Sequence, residues 1–161
     1  MDEAQAIRAF IKERRKEYDI RKNNNLMDDS LKSGWRNYTK VRQSHEDRFP
    51  FELLQNMHDA SVGHRTGHAR FVWTESALLV ADDGEGFSLD DVESICIADS
   101  AQKSGDRSTI GQKGVGFAAV YQLTDFPQIF THHGVFFGFD LPMAAREEVA
   151  PLWLPHELDL D

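Results

Sequence analysis

The sequence contains a single cysteine, so Cys96 in the segment SICIAD has no partner within the chain for a disulfide. A lone cysteine is typical of proteins that work in a reducing compartment. We therefore interpret Cys96 as a small buried core residue and expect the protein to be cytoplasmic.

Long apolar runs and an excess of positive charge are also missing. No stretch approaches the roughly 18 apolar residues of a membrane span, and the N-terminal segment MDEAQAIRAF lacks the charged-then-apolar layout of a signal peptide. The chain has 18 Lys and Arg residues against 27 Asp and Glu residues, for a formal net charge of −9. This balance argues against broad electrostatic binding of nucleic acid. We expect neither a membrane nor a nucleic acid as partner of this domain.

What is present is the composition of one folded domain, because 161 residues with 40% hydrophobic residues and 11 Phe can build a core. Helical and strand patterns are mixed without strict alternation, which predicts an α+β fold. The expected elements, in chain order, are a helix over residues 1–22, a helical stretch over 30–46, a helix containing Glu52, two strands around a Glu75-Ser76 turn, a short helix that begins at Ser88, and one or two strands near 128–140.

The first motif is FPFELLQNMHDA, in which three polar residues recur along one side of a predicted helix. Glu52, Asn56 and Asp59 stand at i, i+4 and i+7, within an arc of about 60°. The rest of the circumference is apolar, formed by Leu53, Leu54, Met57 and Ala60. Taken alone, this stripe also fits a solvated helix face.

The second motif is DDGEGF, residues 82–87, directly after the apolar strand ALLVA. Gly84 and Gly86 permit positive φ and let another group approach the backbone closely. The carboxylate of Asp82 can only accept hydrogen bonds, so it would select a ligand that presents an N–H donor. The alternative is an ordinary Asp-Gly turn of a hairpin.

The third motif is GQKGVGF, directly before the helix-like segment FAAVY. Free backbone N–H groups at a helix start form an anion site. Lys113, or Lys103 and Ser104 in the preceding polar segment, would add charge-assisted contacts to phosphate. The motif is neither a Walker loop nor a dinucleotide fingerprint, and a structural turn is the alternative. Its residues are Gly111, Gln112, Lys113, Gly114, Val115, Gly116 and Phe117.

The order and spacing of these three motifs resemble those of the GHKL ATP-binding superfamily, also called the Bergerat fold. That group includes the 90-kilodalton heat-shock chaperones, gyrase B subunits, mismatch-repair ATPases and histidine kinases. The phrasing of FELLQNMHDA, IGQKGVGF and TDFPQIF is most similar to the sacsin-like branch. The resemblance implies a two-layer α/β sandwich with a mixed, mostly antiparallel sheet and helices on one face. It also implies a helical extension over residues 1–44 and an ATP-binding domain over 45–161 that is truncated at its C-terminal end.

The resemblance further implies ATP and Mg²⁺ as ligands and gives each motif a role. Glu52 would deprotonate the attacking water, and Asn56 would offer its side-chain carbonyl to Mg²⁺. Asp59 would support the pocket, and Asp82 would accept from the adenine amino group. The remaining nucleotide contacts would come from Gly84, Gly86, Phe87, Lys103, Ser104 and the third motif, residues 111–117. A lid near residues 98–110 would close over the nucleotide.

The expected partners are ATP and ADP, further domains of a longer chain, and a second copy that contacts the lid and the apolar face of the first helix. Lid closure would drive this dimerisation. A non-hydrolysing nucleotide sensor is the alternative to an ATPase, because no following domain is visible that supplies Lys or Arg to the γ-phosphate. The segment Ser44–Pro50 mimics a histidine-kinase acceptor box, but its His45 lies only 11 residues before Asn56, and Glu52 stands where kinases usually have Asn.

Overall fold

The structure, a computed structural model, describes residues 2–26, 32–36, 38–39, 49–61, 67–97 and 117–159. The first helix, α1, spans Glu3–Asn23 and begins at Asp2, whose side chain accepts a hydrogen bond from the backbone N–H of Gln5 at 2.8 Å. The predicted N-terminal helix is therefore confirmed. Residues 32–36 and 38–39 are also helical, and the rest of the predicted 30–46 stretch lies outside the described residues.

Two further helices flank the second motif. Helix α2 spans Phe49–Ala60 and carries the first motif, and α3 spans Leu89–Ile97. Helix α3 begins with a reciprocal cap: the Asp91 N–H donates to Ser88 Oγ at 3.2 Å, and the Ser88 N–H donates to Asp91 Oδ2 at 3.0 Å. The predicted start at Ser88 is thus confirmed.

The described strands form two antiparallel sheets. Strands β1 (Ala69–Trp73) and β2 (Leu78–Asp82) make a hairpin around the predicted Glu75-Ser76 turn. Strands β3 (Gln128–Phe130), β4 (Phe136–Gly138) and β5 (His156–Glu157) pair in the order β3-β4-β5. Helices combined with small antiparallel sheets confirm the α+β class. The two-layer sandwich of the Bergerat fold, with helices on one face of a mixed sheet, stays a prediction.

Two short helices follow the third motif. A 3-10 helix over Phe117–Gln122 occupies the predicted helix-like segment FAAVY, and α4, which the sequence pattern did not predict, spans Leu141–Glu147. Helix α4 is capped by Asp140, whose carboxylate accepts from the Met143 N–H at 2.7 Å, and it ends at Glu148 with φ of 53°. Seven residues are too few to show a helical period, so no sequence pattern indicates α4.

The hydrophobic core contains residues from both the N-terminal and the C-terminal parts of the described chain. The main cluster combines α1, α3, the 3-10 helix and the three-stranded sheet; its fully or nearly fully buried members include Ile7, Ile11, Val92, Cys96, Tyr121, Phe137 and Leu152. A second cluster consists of Tyr18, Ala144, Val149, Ala150, Trp153 and Leu154. Cys96 is buried as predicted, and desolvation raises the pKa of its thiol to about 12.

Helix α1 packs three of its apolar residues against this core, whereas Ile20 near its end is 50% exposed. Ile7, Ile11 and Tyr18 are each at most 4% exposed. A dimer contact through α1 would therefore have to use its other faces. The predicted domain boundary between residues 44 and 45 lies outside the described residues and stays a prediction. No described helix is long and apolar enough to cross a membrane.

Candidate functional site

Asp82 is the last residue of β2, directly opposite Ala69 in the hairpin. Its Oδ1 accepts a hydrogen bond from the backbone N–H of Gly84 at 2.9 Å, which closes a local turn. Its side chain is exposed, and Oδ2 makes no hydrogen bond to any residue that the structure describes. One oxygen of this carboxylate therefore shapes the turn, and the other is available to a ligand.

Asp83 has a different set of partners, although it is the next residue. Its Oδ1 accepts from the backbone N–H of His68 at 2.6 Å, and its Oδ2 lies 2.7 Å from His68 Nδ1. The Asp83 N–H donates to the His68 carbonyl at 3.3 Å, so the pair extends the hairpin beyond its last ladder residues. The hydrogen bonds from His68, the backbone one first, lower the pKa of the Asp83 carboxyl. Asp83 is thus a structural carboxylate.

The two glycines of the second motif are both sites of close approach. A Cβ on Gly84 would lie 2.9 Å from both the Cβ and the carbonyl oxygen of Ala60, at the end of α2. The Glu85 N–H also donates to that carbonyl at 3.3 Å. Gly86 has φ of 73°, and a Cβ there would meet the ring of His132. Protein groups therefore contact this turn on two sides.

The polar side chains of the first motif lie along α2 and are not part of the hydrophobic core. Glu52 is half-buried, Asn56 and Asp59 are exposed, and the side chains of the three make no hydrogen bond to another described residue. On the apolar side, Leu53 packs against the main core cluster, whereas Leu54 is 46% exposed. The described element that α2 contacts most is the 3-10 helix.

Residues 111–116 of the third motif, and Lys103 and Ser104 of the preceding polar segment, lie outside the described residues. Phe117 begins the 3-10 helix and is 9% exposed. Its ring meets that of Phe87 edge to face, with centroids 6.5 Å apart and an interplanar angle of 82°. The end of the second motif and the end of the third are therefore in contact.

These contacts bring the three motifs together. Helix α2 touches the glycine turn through Ala60 and also contacts the 3-10 helix, and the turn touches the 3-10 helix through Phe87 and Phe117. Exposed carboxylate and amide oxygens lie on α2 and at Asp82. Such groups accept hydrogen bonds from N–H donors and coordinate hard cations such as Mg²⁺. No cluster of three His, Cys, Asp or Glu that would hold a metal by itself occurs in the described part of the chain.

Two residues of this region were missed by sequence reasoning. His68 lies outside the three motifs, yet it and Asp83 directly flank the two strands, so the hairpin register already predicts that they meet. His132 also lies outside the motifs, and its contact with Gly86 joins segments that are far apart in sequence. No local pattern signals that second contact.

Comparison with known families matches residues 65–146, about half of the chain, to the family described as the Sacsin domain. The matched region contains the second and third motifs. The chain is also 27% identical over 118 residues to Protein NO VEIN of Arabidopsis thaliana, a match that covers 72% of this chain and 4% of the plant protein. The chain thus spans only a small fraction of the length of that relative. No solved structure matches.

Proposed function

The chain belongs to the Sacsin-domain family, and from this premise we propose that it is an Mg²⁺-dependent ATP-binding module with the Bergerat arrangement, which hydrolyses ATP within a longer protein. The observation that carries the proposal is the meeting of the three motifs at Ala60, Gly84, Phe87 and Phe117. Described residues of motifs separated by tens of residues in sequence are thus in contact.

Asp82 supports adenine as the base. The residue is exposed and lies at a strand end, its Oδ1 accepts from the Gly84 N–H, and its Oδ2 can only accept a hydrogen bond. Adenine offers an exocyclic amino donor at the position where guanine has a carbonyl acceptor, so a carboxylate there favours adenine. Gly84, Gly86 and Phe87 would form the wall of the base site.

Asn56 supports the phosphate end. Its exposed side-chain carbonyl is a suitable Mg²⁺ ligand, and the exposed carboxylate of Asp59 would hold a water or a neighbouring residue beside it. Mg²⁺, when bound, would offset the negative charge of the phosphates. The remaining phosphate contacts are proposed for the backbone N–H groups of residues 111–117 and for Lys103, Ser104 and Lys113, on the resemblance of the third motif alone.

Glu52 is proposed as the general base. It lies one turn before Asn56 on α2, is half-buried, and has no described hydrogen-bond partner, so its carboxylate is free to accept a proton from water. As the water oxygen attacks the γ-phosphorus, its proton passes to Glu52 and ADP leaves with the bridging oxygen. The products are ADP and inorganic phosphate.

A non-hydrolysing nucleotide sensor is the second candidate, favoured by one observation. The described residues after Asp140 fold back into the core as α4 and β5, and Arg146 is the only Lys or Arg among them. This segment therefore offers little that would reach a γ-phosphate. In either case we propose cytoplasmic ATP-dependent switching, with lid closure and the exposed faces of α1 forming a homodimer or partner contact.

Hydrolysis by the full-length protein separates the two candidates. Glu52→Ala should abolish phosphate release while ATP binding survives, because the carboxylate acts on water and not on the nucleotide. Glu75→Ala, in the exposed hairpin turn, is the matched control and should retain the wild-type rate. Wild-type protein that binds ATP without releasing phosphate would establish the sensor, and Glu52→Ala with unchanged turnover would exclude Glu52 as the base.

A further inference from the structure

Gly86 is contacted on its Cα by a side chain from a distant part of the chain. Its φ of 73° lies in the left-handed region, which favours glycine. The three atoms nearest to a Cβ built there all belong to the ring of His132: Nδ1 is closest, and Cε1 and Cγ lie at 3.2 and 3.3 Å. Gly86 has no room for a side chain because the imidazole fills that space.

His132 extends from a turn that is itself well anchored. The Thr131 N–H donates to the Val135 carbonyl at 2.9 Å, and the Val135 N–H donates to Thr131 Oγ1 at 3.1 Å. Thr131 and Val135 are 1% and 0% exposed. Arg8 of α1 donates to the Gly134 carbonyl at 2.9 Å. The backbone of this turn is therefore anchored by the core, whereas the His132 side chain is exposed and its ring contacts that of His133, with centroids 3.6 Å apart.

The glycine turn thus lies between two groups from other parts of the chain. Ala60 contacts it at Gly84, and His132 contacts it at Gly86. Gly84 in turn donates its N–H to Asp82 Oδ1 at 2.9 Å. A shift of Gly86 would move Gly84 and so change the direction in which Asp82 Oδ2 points.

We propose that His132 is a positioning residue of the nucleotide site, which fixes the 82–87 turn so that Asp82 Oδ2 is held in the direction that selects adenine over guanine. The inference rests on the proposed ATP binding, and it adds the turn between β3 and β4, which contains His132, to the nucleotide site. His132 touches no nucleotide in this role and acts through Asp82. Because the contact is one of packing, a flat ring of similar size should replace the imidazole.

The test measures ATP and GTP affinity by calorimetry for wild type, His132→Ala, His132→Phe and His133→Ala. His132→Ala should lower ATP affinity about tenfold, as for the loss of one well-placed hydrogen bond, and should lower GTP affinity less. His132→Phe and the neighbouring control His133→Ala should stay within about threefold of wild type. Equal losses for ATP and GTP, or an equal loss in His133→Ala, would overturn the proposal.

The same change in an Asp82→Asn background tests whether His132 acts through Asp82. Residues that act as a unit are non-additive, so His132→Ala should cause no further loss of ATP affinity once the carboxylate is gone. The same fold-loss in both backgrounds would mean that His132 acts independently of Asp82, which would contradict the assigned role.

A readout without nucleotide separates this inference from the proposed function. Amide hydrogen exchange of Gly84, Glu85 and Gly86, followed by NMR, should accelerate in His132→Ala and not in His133→Ala. Unchanged exchange in His132→Ala would overturn the positioning role whether or not ATP binds. Accelerated exchange in a protein whose wild type does not bind ATP would support the contact and overturn the proposed function.

Discussion

Asp82 and Asp83 are adjacent carboxylates whose surroundings give them different chemistry. Asp83 is occupied on both oxygens by the backbone and ring of His68, whereas Asp82 uses only Oδ1, for the Gly84 N–H. A carboxylate that already accepts two hydrogen bonds has little left for a ligand. At the scale of single residues, His68 therefore occupies the carboxylate of Asp83, and Asp82 is the candidate for base recognition.

The pKa of Asp83 provides a prediction at this scale. Hydrogen bonds from His68 favour the ionised carboxylate and lower its pKa in the folded state. A lowered folded-state pKa means that the pair stabilises the protein at neutral pH and that this contribution is lost as the pH falls through the folded-state pKa. A carboxyl NMR titration should find the Asp83 pKa below the usual Asp range.

The control for that titration is His68→Ala, which removes the ring contact and leaves the backbone contact. The pKa of Asp83 should move part of the way back toward the ordinary Asp value, since the backbone N–H of residue 68 still donates to Oδ1. An Asp83 pKa that is identical in wild type and His68→Ala would contradict the assigned ring contact.

At the scale of elements, α2 connects the candidate site to the core. The helix has no fully buried residue, and the described part of the chain contacts it through Leu53 against the core cluster, Ala60 against Gly84, and the 3-10 helix. Glu52, Asn56 and Asp59 lie on the same helix, so a shift of α2 would move them with it. Leu53 is thus an anchor for the site.

Two adjacent leucines test this anchor with the same chemical change. Leu53→Ala should lower the free energy of unfolding by about 1–2 kcal/mol, because a partly buried side chain leaves the core. Leu54→Ala should change it by less than about 0.5 kcal/mol, because Leu54 is 46% exposed. Urea denaturation measures both. A loss for Leu54→Ala as large as that for Leu53→Ala would contradict this orientation of α2.

The hairpin, the glycine turn and the start of α3 at Ser88 were predictable because each depends on local chemistry: two apolar strands around a polar turn, Asp-Gly, and a serine before a helical pattern. The sequence could not separate Leu53 from Leu54, since both lie on the apolar side of the helix and only docking against the 3-10 helix decides which one faces the core. It could not predict the contact between His132 and Gly86 either, because that contact depends on how two separate hairpins are packed.

At the scale of the whole molecule, α1 and the C-terminal segment close the core together. Tyr18 meets Trp153 edge to face at 6.5 Å, Lys22 pairs with Glu147 at 2.8 Å, and Arg8 pairs with Glu157 at 2.7 Å. The segment APLWLP has no periodicity, yet its side chains from Ala150 to Pro155 are buried. An irregular backbone that supplies core residues is invisible to pattern-based reasoning.

Two tryptophans test this closure. Trp153→Ala should lower the free energy of unfolding by about 3–5 kcal/mol, because a large ring that is 3% exposed leaves the second core cluster. Trp73→Ala should stay within about 0.5 kcal/mol of wild type, because Trp73 is 74% exposed. Thermal and urea unfolding compare the two. A Trp153→Ala variant as stable as Trp73→Ala would show that the C-terminal segment is not part of the core.

Calorimetry of ATP binding with and without Mg²⁺ tests whether Asp82 recognises the base of a bound ATP. We expect Mg²⁺-dependent binding that Asp82→Asn weakens by about 10- to 100-fold, as for the loss of a hydrogen bond to a charged group. Asp90→Asn, an exposed site on α3, is the charge-matched control and should bind as wild type does. Absence of binding by the folded chain, or equal affinity for wild type and Asp82→Asn, would contradict this role of Asp82.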